Sequence, residues 1–218
     1  MKSLLLKNFP SLSENQIEKF EKLEQLIIEW NSKVNLISRK DVENIPEHHI
    51  LHSLAIAKII SFTDNSRIID VGTGGGFPGI PLAIMFPNVN FDLVDSIGKK
   101  ITVVKDIIEK LNLTNVNAFN ARAEIMPPKY DFIISRAVSA FPDFVEIVGG
   151  LIKSNNINSL NNGIVYLKGG DFESELVGLK NIKVFQIKDF FDGEYFETKK
   201  IIYFPLQPKQ LKKIIKKK

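Results

Sequence analysis

The sequence predicts an α/β fold, with a mostly parallel sheet covered by helices on both faces, a helical cap before it and an antiparallel strand at its C-terminal end. Three observations carry this. Between residues 67 and 167 short apolar runs alternate with helical stretches, the pattern of strand–helix–strand units that pair in parallel. Before residue 62 the apolar residues recur at every third or fourth position, as on amphipathic helices. Beyond Leu167 two short strands follow one another with only a loop between them, and strands joined that way are antiparallel neighbours.

Taken in chain order, Ile17, Phe20, Leu23, Leu26, Ile27, Trp30 and Val34 form the stripe of a first helix between Ser13 and Val34, and Ser13 with Gln16 makes a capping box at its start. A second helical stretch, about 47–61, carries Ile50, Leu51, Leu54, Ile56, Ala57 and Ile60. The turn-like Thr63-Asp64-Asn65-Ser66 then opens the alternating region. Strands are expected at 67–71, 90–95, 115–120, 130–135 and 163–167, and helices at 80–86, 99–111 and 141–153. The last two strands are expected at 183–187 and 199–204, joined through Asp192-Gly193-Glu194.

The 218 residues include no cysteine, which excludes disulfide scaffolds, thiolate metal sites and thiol nucleophiles. The opening MKSLLLKNFP is too short for a secretory apolar region, and no segment reaches the roughly 18 consecutive apolar residues of a membrane span. A cytoplasmic protein, a monomer without a bound metal, is expected. The net charge is +4, yet Lys209, Lys212, Lys213, Lys216, Lys217 and Lys218 contribute +6 in the last ten residues. The rest of the chain is therefore at 4 − 6 = −2. Such a tail suits either phosphate docking or solubility, and charge alone does not choose. The expected division is a helical cap at 1–62, a catalytic domain at 63–208 and a basic tail at 209–218.

The most informative segment is Ile68-Ile69-Asp70-Val71-Gly72-Thr73-Gly74-Gly75-Gly76-Phe77-Pro78-Gly79, a buried strand running into a glycine-rich loop and then a helix. Glycines let such a backbone turn tightly and approach a ligand. Gly74 to Gly79 satisfies G-x-G-x-x-G, but counted from the glycine directly after the strand, Gly72, the third position falls on Phe77, which argues against a dinucleotide. Gly72-x-Gly74-x-Gly76 looks like the loop with which methyltransferases cradle S-adenosylmethionine. Asp95 ends the next strand, 23 residues after Gly72, where a carboxylate can accept ribose hydroxyls. Arg122-Ala123-Glu124 follows the third strand and Arg136 the fourth. Four strand ends would thus deliver polar groups to one sheet edge, as a nucleotide-like ligand requires.

Several chemistries are removed by what is missing. Methylation at cytosine C5 proceeds through a cysteine adduct. Exocyclic-amine methyltransferases carry an Asn/Asp-Pro-Pro-aromatic segment after the fourth strand, where this chain has Ser135-Arg136-Ala137-Val138. Pro127-Pro128-Lys129-Tyr130 precedes that strand and does not fit. A ring nitrogen with a free lone pair, such as guanine N7, needs neither adduct nor base, so positioning does the work. His48 and His52 stand four apart, but a metalloprotease helix needs Glu at 49, where this chain has His49. A helix packed on the cofactor edge, one histidine facing the site, is expected instead.

At these residues the chain resembles the ribosomal RNA small-subunit methyltransferase G family, also called glucose-inhibited division protein B. The matching segments are Trp30-Asn31, Val34-Asn35-Leu36, His49-Ile50-Leu51, Ser53-Leu54, DVGTGGGFPGIPLAI from Asp70 to Ile84, Leu93-Val94-Asp95-Ser96, Asn115-Val116, Arg122-Ala123-Glu124, Ser135-Arg136-Ala137 and Leu167-Lys168-Gly169. The resemblance implies a class I methyltransferase, Rossmann-like fold, S-adenosyl-L-methionine as methyl donor, and methylation of guanine N7 in small-subunit (16S) ribosomal RNA, free or in an assembling subunit. Carried over by position, Gly72, Phe77, Ala123, Glu124 and Arg136 would contact the cofactor, Asp95 matches the ribose-binding position of the wider methyltransferase class, and Gly74 joins them from the reading of the glycine loop. His49, Lys99, Lys100 and Lys168 are RNA-binding candidates. His52 departs from the Asp that many members carry at this position, and the lysine tail lies outside the family pattern. A class I methyltransferase acting on another RNA, a small molecule or a protein is the alternative. A dinucleotide oxidoreductase and a catalytically idle RNA-binding module are further ones.

Overall fold

The structure, a computed structural model, describes residues 1–136 and 139–206. Ala137, Val138 and the 209–218 tail lie outside the described residues.

Seven strands form one sheet: β1 (Arg67–Val71), β2 (Asn90–Asp95), β3 (Val116–Asn120), β4 (Phe132–Arg136), β5 (Gly163–Gly169), β6 (Lys183–Gln186) and β7 (Lys199–Pro205). Their spatial order is β3-β2-β1-β4-β5-β7-β6. The first five pair in parallel, while β7 runs antiparallel to both β5 and β6. One reversed strand in an otherwise parallel sheet is the expected architecture. The class I methyltransferase fold requires this order, in which chain progression reverses between β1 and β4 and opens a crevice at the carboxyl ends of these strands.

Alternate residues of the central strands face opposite layers. Ile68, Phe91, Leu93, Phe132, Ile134, Val165 and Leu167 join one apolar cluster with Leu5, Phe20, Leu23 and Ile27. These last four belong to the N-terminal helices α1 (Lys2–Asn8) and α2 (Glu14–Asn31). The same cluster takes in Leu82 of α5 (Gly79–Met85) and Val104 and Ile107 of α6 (Gly98–Lys110). On the other face Ile69, Val71, Ile133, Ile164 and Tyr166 pack with Phe141, Phe144, Val145 and Val148 of α7 (Phe141–Val148).

Local signals explain the element ends. Ser13 caps α2 in the expected box, its hydroxyl accepting from the Gln16 amide. Trp30 Nε1 donates to Asp106 at 2.6 Å, tying α2 to α6, and Asn31 Oδ1 accepts the Leu36 and Ile37 amides at 2.8 and 3.0 Å. These bonds account for the Trp30-Asn31 segment as a fold device. The second helical stretch differs from its expectation: Ile45–Leu51 is π-helical and passes into the short turns α3 (His52–Leu54) and α4 (Ile56–Ile59). Its wider turn lets the neighbouring side chains His48 and His49 reach the same carboxylate, that of Asp41. The expected helix at 141–153 is shorter too, ending at Val148 before a 3₁₀ turn at Gly149–Leu151.

Candidate active site

The reversal point between β1 and β4 opens into a cavity of about 560 Å³. Val71 and Gly72 line it from the end of β1, Val94, Asp95 and Ser96 from β2, Arg122, Ala123 and Glu124 from the segment after β3, and Arg136 from β4. Phe144 and Ile147 of α7 and Lys100 of α6 complete the wall. The volume lies within the range of small-molecule sites, and an apolar wall with a few converging polar groups is their usual make-up.

Asp95 is held in place by the glycine loop. Its Oδ2 accepts the Gly74 amide at 3.0 Å and its Oδ1 the Ile97 amide at 2.9 Å. A carboxylate has about four acceptor positions, so two remain for a ligand. The Gly74 amide is thereby engaged, and Gly74 is not part of the cavity lining. A Cβ there would meet only the Gly72 carbonyl, at 4.0 Å, but φ is +58°. Glycine is therefore favoured at 74 by its backbone conformation, one of the two reasons expected for the loop glycines.

The loop is anchored from below by Asp70. This carboxylate, fully buried, accepts from Thr73 Oγ1 at 2.7 Å and from the Gly79 amide at 2.9 Å. Burial raises its pKa to about 7, against the pull of these two bonds and of the Arg136 charge. Its Oδ1 has no hydrogen-bond partner among the described residues. Sequence reasoning quoted Asp70 within the motif without giving it a task; a charged residue inside an apolar strand was the available signal.

Phe77 also lies behind the cavity wall. Its ring is buried 5.2 Å from the Arg136 guanidinium carbon and 5.3 Å from the His49 ring. Arg136 Nη2 donates to His49 Nδ1 at 3.0 Å and Nη1 to the His48 carbonyl at 3.4 Å. His49 Nε2 stands 2.7 Å from Asp41 Oδ2, and His48 Nδ1 2.5 Å from Asp41 Oδ1. Burial, then the Arg136 charge, lowers the His49 pKa to about 4. His52 is buried with Nδ1 3.1 Å from Tyr195 Oη, and its pKa falls well below the ordinary value, chiefly through burial. Tyr195 stacks on His48 at 3.7 Å. No sequence signal marked Asp41 or Tyr195, because both partners come from outside the helix they serve.

The RNA candidates separate. Lys99 is exposed and Lys100 half-buried at the cavity wall. Lys100 also borders a second, polar depression of about 860 Å³ with Lys33 and Arg39. His49 is buried and engaged as described, and Lys168 Nζ is bonded to Glu175 Oε1 at 2.6 Å. Glu175 in turn accepts the Phe141 amide at the start of α7 at 2.7 Å. Both side chains thus have partners within the protein, unlike Lys99, which has no side-chain bond among the described residues. Among the described residues no three His, Asp or Glu side chains converge as metal ligands would, and no helix is long and apolar enough to cross a membrane.

A family model described as GidB, rRNA small subunit methyltransferase G, matches residues 16–193. The chain belongs to this family. It is 53% identical to the ribosomal RNA small subunit methyltransferase G of Christiangramia forsetii, over 94% of this chain and 98% of the relative. With the protein of the same name from Flavobacterium johnsoniae the identity is 49%, over 93% and 97%. Among solved structures, MtNAS aligns with a TM-score of 0.58 at 12% identity, over 88% of this chain and 70% of that one. The precorrin-6y C5,15-methyltransferase from Geobacter metallireducens aligns with a TM-score of 0.53 at 16% identity, over 78% and 90%. These two likenesses concern the fold alone. As a member of the family, the chain is an S-adenosylmethionine-dependent rRNA methyltransferase.

Proposed function

We propose that the cavity at the carboxyl ends of β1, β2 and β4 holds S-adenosylmethionine beside a guanine of small-subunit (16S) ribosomal RNA, whose N7 this family methylates. The observation that carries this reading is Asp95, a carboxylate fixed by two amides with acceptor capacity directed at a cavity of cofactor size. Its free lone pairs suit ribose hydroxyls. Val71, Val94, Ala123, Phe144 and Ile147 offer an apolar slot for a base, and Gly72 allows the chain to pass close to the ligand. Arg136 supplies charge at the wall, and Gly74 and Phe77 act from behind it.

When bound, S-adenosylmethionine supplies an electrophilic sulfonium methyl. Guanine N7 is unprotonated at neutral pH, so the protein has no proton to remove from it. The side chains then need only hold donor and acceptor in line and keep water out. His49, nearest to the site among the histidines, is neutral and engaged on both ring nitrogens, which fits a structural duty and not acid–base work. Lys100 at the cavity wall and its exposed neighbour Lys99 would meet the RNA phosphates.

We also take the protein to act in the cytoplasm as a monomer, and retain the functional division at residues 62/63 and 208/209. Sedimentation tests the monomer. The reaction is tested by transfer of tritiated methyl to ribosomal RNA from cells lacking the protein, followed by nucleoside analysis. 7-Methylguanosine as product supports the reading, and any other methylated nucleoside overturns it.

A further inference from the structure

Arg136 reaches the cavity wall with a guanidinium that contains donors only and stays protonated. The ring nitrogen it meets, His49 Nδ1 at 3.0 Å, must therefore present a lone pair. Neutral imidazole has one N–H, which then sits on Nε2, 2.7 Å from Asp41 Oδ2. Asp41 lies on the 3₁₀ segment Arg39–Asn44, just before the π-helical residues 45–51 that carry His49. Its second oxygen faces His48, whose backbone carbonyl accepts the other end of the guanidinium. The Phe77 ring supports both the guanidinium and the imidazole.

We infer that Asp41 and His49 are positioning residues: Asp41 fixes His49 in the Nε2–H tautomer, and the lone pair left on Nδ1 sets the Arg136 guanidinium at the cavity wall. The inference rests on reading that cavity as the cofactor site. The opposite tautomer would set N–H against N–H at the Arg136 contact. A carboxylate selects the tautomer because it only accepts; a carboxamide in its place also donates, and permits the wrong one. Asp41→Asn should accordingly be more harmful than its small change in shape suggests. In His49→Asn the side-chain oxygen stands near the place of Nδ1 and keeps an acceptor for Arg136, whereas His49→Phe keeps the ring and loses the acceptor.

Long-range proton–nitrogen correlation spectra of the uniformly labelled full chain report the tautomer without any ligand. In the wild type they should show a bare Nδ1 and a protonated Nε2 on His49, and in Asp41→Asn a growing share of Nδ1–H. Calorimetric titration with S-adenosylmethionine should give affinities weakened about tenfold or more in Asp41→Asn and His49→Phe. His49→Asn should stay within about threefold of wild type. Protonated Nδ1 in the wild type overturns the inference, as do wild-type affinities in folded Asp41→Asn and His49→Phe. If either variant fails to fold, the wild-type spectrum still decides. Lack of binding by the wild type overturns the cofactor reading alone, and the spectrum then tests the tautomer lock by itself.

Discussion

Asp70 Oδ2 accepts the Gly79 amide at 2.9 Å, and a Cβ on residue 79 would stand 2.8 Å from the same oxygen and 2.9 Å from Leu93. The bond and the close packing require each other, because only a residue without a side chain brings the start of α5 so near the sheet. Gly79→Ala is therefore expected to destabilise the fold by about 1–3 kcal/mol, the cost of overpacking. Gly150→Ala, where a new Cβ meets nothing within 4 Å, should stay within about 0.5 kcal/mol. Urea titrations of both variants measure the contrast; equal stabilities would show that the helix start yields freely.

Asp70 also makes stability depend on pH. Its folded pKa, raised to about 7 by burial, lies above the unfolded value of about 3.9. The contribution is thus complete below the unfolded value and is lost as pH rises through the folded one. Relative to Asp70→Asn, the wild type should lose up to about 1.4 kcal/mol per pH unit between roughly pH 4 and 7. Denaturant titrations of both proteins across this range test it, and a gap that does not change with pH would mean that Asp70 titrates as an ordinary carboxyl.

The two sets of lysines should differ in their response to salt. Replacing Lys99 and Lys100 together by Ala should weaken RNA binding and lower the salt slope by about 1.5, near 0.7–0.9 per phosphate contact. Lys168→Ala removes the Glu175 tie and should lower the melting temperature while leaving the slope alone. Filter binding over a potassium chloride series separates these outcomes. A slope change in Lys168→Ala would return it to the RNA surface.

His49 should impose no limb on the pH profile of methyl transfer, since its pKa near 4 keeps it neutral throughout the working range. Single-turnover rates between about pH 6 and 9 in His49→Asn should run parallel to those of the wild type. A wild-type inflection that vanishes in the variant would identify an acid–base enzyme instead.

Much of the sheet was legible because its strands are short apolar runs bounded by turns. Arg67–Val71 and Asn90–Asp95 fall at the expected residues. Other parts depended on partners far away in the chain. The π-helical course of residues 45–51 serves the Asp41 contact, which hydrophobic spacing does not encode. Helix α1 is a single turn and more that docks Leu5 into the core, too short for periodicity to register. At the site, Gly72, Asp95, Ala123, Glu124 and Arg136 were readable as strand-end residues and line one cavity. The Lys168 pairing was not legible, because Glu175 comes from the 3₁₀ segment Glu173–Leu176 beyond the end of β5. Tyr195 was missed because its stack on His48 spans 147 residues.

The reversal of β7 sets the end of the described chain apart from the cavity. Antiparallel pairing sets Pro205 opposite Gly163, the first residue of β5, and the Leu206 amide bonds to the Asn162 carbonyl. The described chain therefore stops at the edge of the sheet remote from the cavity, one strand length of about 20 Å away. The six lysines between residues 209 and 218 follow that end in the sequence. A minimal hairpin filling the cavity would leave them idle, while a longer rRNA fragment or a ribosomal particle could engage both ends at once. Removing the tail should consequently cost affinity in proportion to the length of the RNA offered, so that substrate size becomes a ruler for how far the enzyme reaches across its target.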